Sequence, residues 1–120
     1  MIDKGFNYLI YEDKSDIAFK MFKELVDNGS PGLCITTLYP QKLKKMYGMG
    51  DAQVYWLSDS TGDKEVLSPT RLDFEITRVI NKFIKGEEEP VFLLDGMAYL
   101  SLENDYDKVR KFVKRINDMA

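Results

Sequence analysis

The chain has 120 residues, 44% hydrophobic and 31% charged, a composition typical of a single globular domain over residues 1–120. A net charge of −3, no long apolar run and no signal peptide exclude nucleic-acid binding and a membrane span, so we expect a cytoplasmic protein. With no histidine and one cysteine, the sequence excludes Ser-His and Cys-His nucleophile pairs, an internal disulfide and the common zinc sites.

The first half of the chain alternates predicted strands with predicted helices. Asp16 can cap a helix whose apolar residues share one face as far as Val26. Pro40 suits the first turn of a short helix that reaches Tyr47. Apolar and branched residues before, between and after these helices predict strands at 6–11, 33–37 and 53–57.

The second half begins with a polar loop over 58–67, followed by Ser68 as a helix cap and Pro69 at the first helical position. An apolar stripe at helical spacing then predicts the strongest helix of the chain. Its members are Leu72, Ile76, Val79, Ile80, Phe83 and Ile84. A short helical turn is predicted at 97–100, and Asn104 is predicted to cap the last helix, with Tyr106, Val109 and Phe112 inward.

The apolar run at 90–94 is continuous, whereas a half-buried strand would alternate apolar and polar residues. It therefore indicates a strand covered on both faces. Together with the alternation of strands and helices, it predicts an α/β fold of three layers, with a mostly parallel four-stranded sheet between helices. The strand order cannot be derived from these patterns.

Asp95 and Gly96 follow this central strand, and open α/β sheets bind ligands at the carboxyl ends of their strands. A structural role for Asp95, capping the next turn, is the leading interpretation, and contact with a ligand or Mg²⁺ beside Asp59 is the alternative. Tyr55 and Trp56 point to opposite faces of their strand and are interpreted as core. The ligand-binding candidates are Thr36, Thr37, Ser58, Asp59, Thr70, Arg71, Asp95 and Gly96.

Lys14 and Ser15 stand where the Lys-Ser of a phosphate-binding loop would follow strand 1. Tyr8 and Asp13 replace its two glycines, however, and acidic neighbours such as Asp16 would repel a triphosphate. We therefore expect a capped, solvated turn here rather than a nucleotide site.

Several segments resemble a known family in their order and spacing. The most specific are Trp56-Leu57-Ser58, Pro69-Thr70 and Leu93-Leu94-Asp95-Gly96. Together with their neighbours they are similar to the archaeal family known as domain of unknown function 835 over nearly the whole chain. The resemblance implies a domain found alone or attached to signal-transduction modules, with a layout like a degenerate RecA/KaiC or Rossmann-like core.

Two departures accompany the resemblance. Members usually carry a basic residue after the threonine of strand 2, where this chain has Thr37 and Leu38. Members also usually continue into a further apolar strand, whereas this sequence ends at Ala120. The resemblance thus leaves two interpretations of this sequence. It is a shortened form of the family's domain, or it is a version that completes its sheet in another way.

These observations predict a non-catalytic module, without catalytic residues, metal or cofactor, that binds protein partners in archaeal signalling or motility-related assembly. The alternative is a sensor that binds a small molecule or nucleotide at the strand ends. We also expect a homodimer, because a bare sheet edge or apolar helix side favours self-association. The interface candidates are Val79, Phe83, Tyr106, Val109 and Phe112.

Overall fold

A computed structural model describes residues 8–11, 16–59 and 65–119, and for 8–11 it describes the backbone alone. The strands are β1 (Tyr8–Tyr11), β2 (Gly32–Thr36), β3 (Gln53–Leu57), β4 (Val66–Leu67) and β5 (Val91–Asp95). They form one sheet in the order β1-β5-β2-β3-β4, and every neighbouring pair is parallel. The predicted α/β class with a parallel sheet is confirmed.

Helices cover both faces of the sheet. They are α1 (Asp16–Asp27), α2 (Pro40–Tyr47), α3 (Thr77–Gly86), α4 (Met97–Glu103) and α5 (Tyr106–Met119). A π-helical segment, Leu72–Ile76, leads directly into α3. Helices α1 and α2 share one hydrophobic cluster with the sheet, while α3, α4, α5 and the π-helical segment share the other, so the domain has three layers.

The two central strands, β2 and β5, are buried along their whole length. Their alternate side chains serve opposite layers. Cys34 and Leu93 pack with α1 and α2, whereas Ile35 and Leu94 pack with α3 to α5. The continuous apolar run that predicted a strand covered on both faces therefore occupies the middle of the sheet.

The structure adds a fifth strand to the four that were predicted. Val66 and Leu67, which the sequence placed in a polar loop, pair in parallel with Trp56 and Leu57. The backbone N–H of Trp56 donates to the carbonyl of Glu65 at 2.8 Å, and that of Ser58 donates to Leu67 at 3.0 Å, so Glu65 and β4 satisfy part of the outer edge of β3. Two residues are too few to show a strand period, which explains why the pattern missed them.

The other strand boundaries differ little from the prediction. Strand β1 begins at Tyr8, and residues 6 and 7 of the predicted first strand lie outside the described residues. Strand β2 is displaced by one residue, from 33–37 to 32–36. The turn at 12–15, which was predicted to be capped and solvated rather than a phosphate-binding loop, also lies outside the described residues.

Two predicted helix starts are wrong. Pro69 lies in a turn before the helix, which begins at Leu72. The Asn104 side chain donates to the carbonyls of Pro69 and Leu100, so it holds the end of α4 rather than the start of α5. Asp105 caps α5 instead, since its carboxylate accepts from the Lys108 N–H at 2.8 Å.

Helix α4 is longer than the predicted turn at 97–100, because it extends to Glu103. In the described part of the chain, none of the helices has the length and apolar character required to cross a membrane.

Candidate functional site

The central strands end in a buried hydrogen-bonded pair. Thr36 and Asp95 are opposite each other in the register of β2 and β5, and neither is exposed. The Thr36 hydroxyl donates to the Asp95 carboxylate at 2.8 Å and accepts from the Leu38 N–H at 3.0 Å. Because a buried carboxylate is costly without such donors, the pair ties the two strands together and favours the structural interpretation of Asp95.

Cys34 lies two residues before Thr36 on the same face of β2 and is buried. Burial raises the pKa of its thiol far above the usual range, and the negative charge of Asp95 adds to this effect. Because the thiolate is the reactive form, Cys34 serves as packing.

Gly96 turns the chain from β5 into α4 with a φ of 140°, a conformation that residues with a Cβ rarely adopt. A Cβ at this position would lie 2.9 Å from the Thr37 Cγ2 and 3.1 Å from the Leu57 Cδ1. The glycine therefore lets α4 approach the ends of β2 and β3 closely.

A cavity of about 530 Å³ opens between α4 and these strand ends, and we call it the strand-end pocket. Its described lining residues are Thr37, Trp56, Leu57, Ser58, Gly96, Ala98, Tyr99 and Leu102. Of the eight ligand-binding candidates, Thr37, Ser58 and Gly96 are brought together here. Thr36 and Asp95 are buried and do not line it.

The aromatic residues of the pocket are held in place by their neighbours. The Trp56 indole N–H donates to the carbonyl of Thr37 at 3.2 Å, and its ring meets Tyr39 edge to face at 5.2 Å. Burial raises the pKa of the Tyr99 hydroxyl, as do the nearby carboxylates of Asp59 and Glu103. The described lining has no carboxylate, thiol, amine or guanidinium, and is mostly apolar.

The model of the family described as Protein of unknown function (DUF835) matches residues 11–120. The chain belongs to the DUF835 family. No curated protein and no solved structure matches it significantly.

The remaining ligand candidates of this DUF835 domain lie outside the pocket. Asp59 accepts a hydrogen bond from the Ser68 hydroxyl at 3.4 Å, and that hydroxyl is 3.0 Å from the hydroxyl of Thr70. Arg71 is ion-paired with Glu75 at 3.1 Å. Among the residues that the structure describes, no three His, Cys, Asp or Glu side chains come together as a metal site.

Two interface candidates need correction. Phe83 and Phe112 are only 8% and 2% exposed, because both pack into the core beneath α3 and α5. They are not available for a surface contact in the DUF835 domain. Val79 and Val109 are half-buried, and Tyr106 is 79% exposed, so Tyr106 remains the accessible candidate.

Five residues that line the pocket were not among the predicted ligand-binding candidates: Trp56, Leu57, Ala98, Tyr99 and Leu102. Trp56 was interpreted as core, whereas it is half-buried at the mouth of the pocket. Tyr99 and Leu102 are three residues apart, the spacing of one helical face, and this signal would have found them had α4 been predicted at full length.

Proposed function

We propose that this DUF835 domain is a non-catalytic module that binds a protein partner at the carboxyl edge of its sheet. The observation that carries the proposal is the exposed apolar rim of the strand-end pocket, formed by Tyr39, Trp56 and Leu102. Leu102 is 83% exposed and Tyr39 is 45% exposed, beside the half-buried Trp56. Clustered exposed apolar side chains rimmed by polar ones typify protein-interaction sites. A signalling or motility-related assembly is the setting that the family resemblance supports.

The non-catalytic part of the proposal rests on the side chains available at this edge. Asp95 is the carboxylate at the central strand end, but it is buried and engaged with Thr36. Positioned acids, bases or nucleophiles are what general acid–base and covalent catalysis require. We expect the pure protein to show no ATP or GTP hydrolysis above that of buffer. Turnover that Asp95→Asn removes would contradict this.

Co-purification from the native cell tests the partner proposal. We expect Leu102→Asp to abolish capture of the partner, because a charge in the rim cannot be desolvated against an apolar surface. Phe74→Asp is the matched control, since Phe74 is also exposed, at 71%, but lies in the π-helical segment. A partner lost equally from both variants would reject the rim as its binding site.

A small-molecule or nucleotide sensor is the second candidate, and the size of the strand-end pocket favours it. A volume of about 530 Å³ lies in the range of ligand sites, which are usually apolar with a few polar groups. A thermal-shift screen with nucleotides, cyclic dinucleotides and amines tests it. A rise in melting temperature that Tyr99→Leu abolishes supports the sensor, and no rise with any of these compounds counts against it.

A further inference from the structure

The strand-end pocket combines two aromatic walls with a lack of positive charge. Trp56 and Tyr99 both line it, and aromatic rings carry a negative quadrupole over their faces that attracts cations. The other described lining residues are uncharged. Two ring systems beside an apolar surface are the setting in which proteins bind ammonium groups.

Acidic residues flank the pocket at two separate points. Asp59 directly follows the lining residue Ser58, and Glu103 directly follows the lining residue Leu102. Both carboxylates act on Tyr99, whose pKa they raise in addition to the larger effect of burial. Asp59 and Glu103 therefore contribute negative potential on the side of the pocket where Tyr99 lies.

The basic side chains of Arg71 and of Lys108, on α5, are engaged near the turn at 68–71. Arg71 pairs with Glu75 at 3.1 Å, and the Lys108 ammonium donates to the carbonyl of Thr70 at 3.3 Å. A phosphate or carboxylate ligand in the pocket would face Asp59 and Glu103 without a described lining cation to offset the repulsion.

We propose that the strand-end pocket binds a small organic cation, an ammonium or quaternary ammonium group carried on an apolar body. The inference rests on the second candidate function, the small-molecule sensor, and names the class of its ligand. The apolar body would contact Leu57 and Ala98, and the charged group would lie against the aromatic side chains on the side of Asp59 and Glu103. A free small cation is the occupant because the cavity volume is that of a whole ligand site.

Fluorescence titration tests the proposal directly, because Trp56 is the only tryptophan of the chain. Choline is the probe, and 3,3-dimethylbutan-1-ol, its uncharged isostere, is the comparison. We expect choline to change Trp56 emission saturably and the isostere to bind roughly tenfold more weakly, as loss of a desolvated cation–π contact implies. Equal affinity for the two compounds, or no saturable change with choline, would overturn the proposal.

Variants that remove charge show whether Asp59 and Glu103 act on the bound ligand locally. The double variant Asp59→Asn and Glu103→Gln should weaken choline binding several-fold and leave the isostere unchanged. The matched control is Glu24→Gln with Glu87→Gln, two exposed acids on α1 and on the loop before β5, which changes the net charge equally. Equal weakening in both double variants would attribute the effect to overall charge and reject the site.

Two outcomes separate this inference from the proposed partner binding. If choline fails to bind while Leu102→Asp still abolishes partner capture, the organic-cation site is wrong and the interaction module stands. A lysine-containing peptide that binds more tightly than choline, with the same dependence on Asp59 and Glu103, would overturn the assignment to a free small cation.

Discussion

Thr36 and Asp95 join the two central strands at the edge where a ligand site would be expected, yet both side chains are fully buried. An acid at a strand end is therefore not by itself a functional signal in this fold. Here the carboxylate accepts a hydrogen bond from the neighbouring strand, and the lining of the pocket begins one residue beyond the pair, at Thr37 and Gly96.

At the residue scale, we expect Thr36→Val to destabilise the domain by about 1–3 kcal/mol, because it leaves a buried carboxylate without one of its donors. Thr36→Ser is the matched control, since it keeps the hydroxyl and removes one methyl group. Urea denaturation at neutral pH measures both. If the valine variant proves as stable as the serine variant, the hydrogen bond to Asp95 does not contribute to the free energy of unfolding.

Tyr47 and Asp16 connect helices α2 and α1 through a hydrogen bond of 2.6 Å. This bond, followed by the hydrogen bond from Lys20, lowers the pKa of Asp16 below 3.8. Because the folded pKa is below the unfolded one, the stabilisation is complete above that unfolded pKa and is lost as pH falls through the folded pKa.

We expect Tyr47→Phe to raise the pKa of Asp16 toward 3.8, as measured by NMR titration of its carboxyl carbon. The phenylalanine keeps the stacking on Phe19, whose ring centroid lies 5.0 Å from that of Tyr47. Tyr39→Phe, at the residue that precedes α2, is the control. An Asp16 pKa that does not respond to Tyr47→Phe would show that the phenol does not reach it in solution.

At the element scale, the core residues of α3 and β5 carry the packing of the larger layer. We expect Phe83→Ala and Phe92→Ala each to destabilise the domain by about 3–5 kcal/mol, since both side chains are buried. Phe74→Ala should cost about 1 kcal/mol or less, because Phe74 is exposed and its ring lies under the guanidinium of Arg78. Chemical denaturation compares the three, and a loss below about 1 kcal/mol at Phe83 or Phe92 would contradict the layer assignment.

The central elements of this fold could be predicted from sequence because their burial on both faces leaves a continuous apolar run, as at 91–94. Helix boundaries that depend on a single hydrogen bond could not be predicted in this way. Asn104 and Asp105 are both good caps, and only the three-dimensional structure shows that Asn104 is recruited by Pro69.

The candidate site likewise has residues that could be predicted from sequence and residues that could not. Thr37, Ser58 and Gly96 follow from the rule that loops at strand ends form the binding edge. Tyr99 and Leu102 complete the pocket only because Gly96 lets α4 approach β3, a tertiary contact with no local pattern.

At the scale of the whole molecule, we propose self-association through α5 and the groove beside it. Tyr106 is 79% exposed at one end of a cavity of about 420 Å³, which Met97, Val109 and Val113 also line. Symmetric dimers are the commonest way to cover such a surface.

We expect sedimentation equilibrium at micromolar concentration to show a dimer that Tyr106→Glu shifts toward monomer. Ile17→Glu, a change at another exposed apolar position, on α1, should leave the equilibrium unchanged. A single monomeric species in the unaltered protein at every concentration would rule out the dimer.

The position of β5 between β1 and β2 affects how the chain folds during its synthesis. During synthesis β1 and β2 emerge first, but β1 has only β5 as a neighbour in the described sheet. Strand β2 can pair with β3 before β5 is made, but β1 has no described partner until residue 95 has left the ribosome. The nascent chain must therefore keep the apolar residues of β1 from aggregating until β5 is made, and such sequence-distant pairing is intrinsically slow.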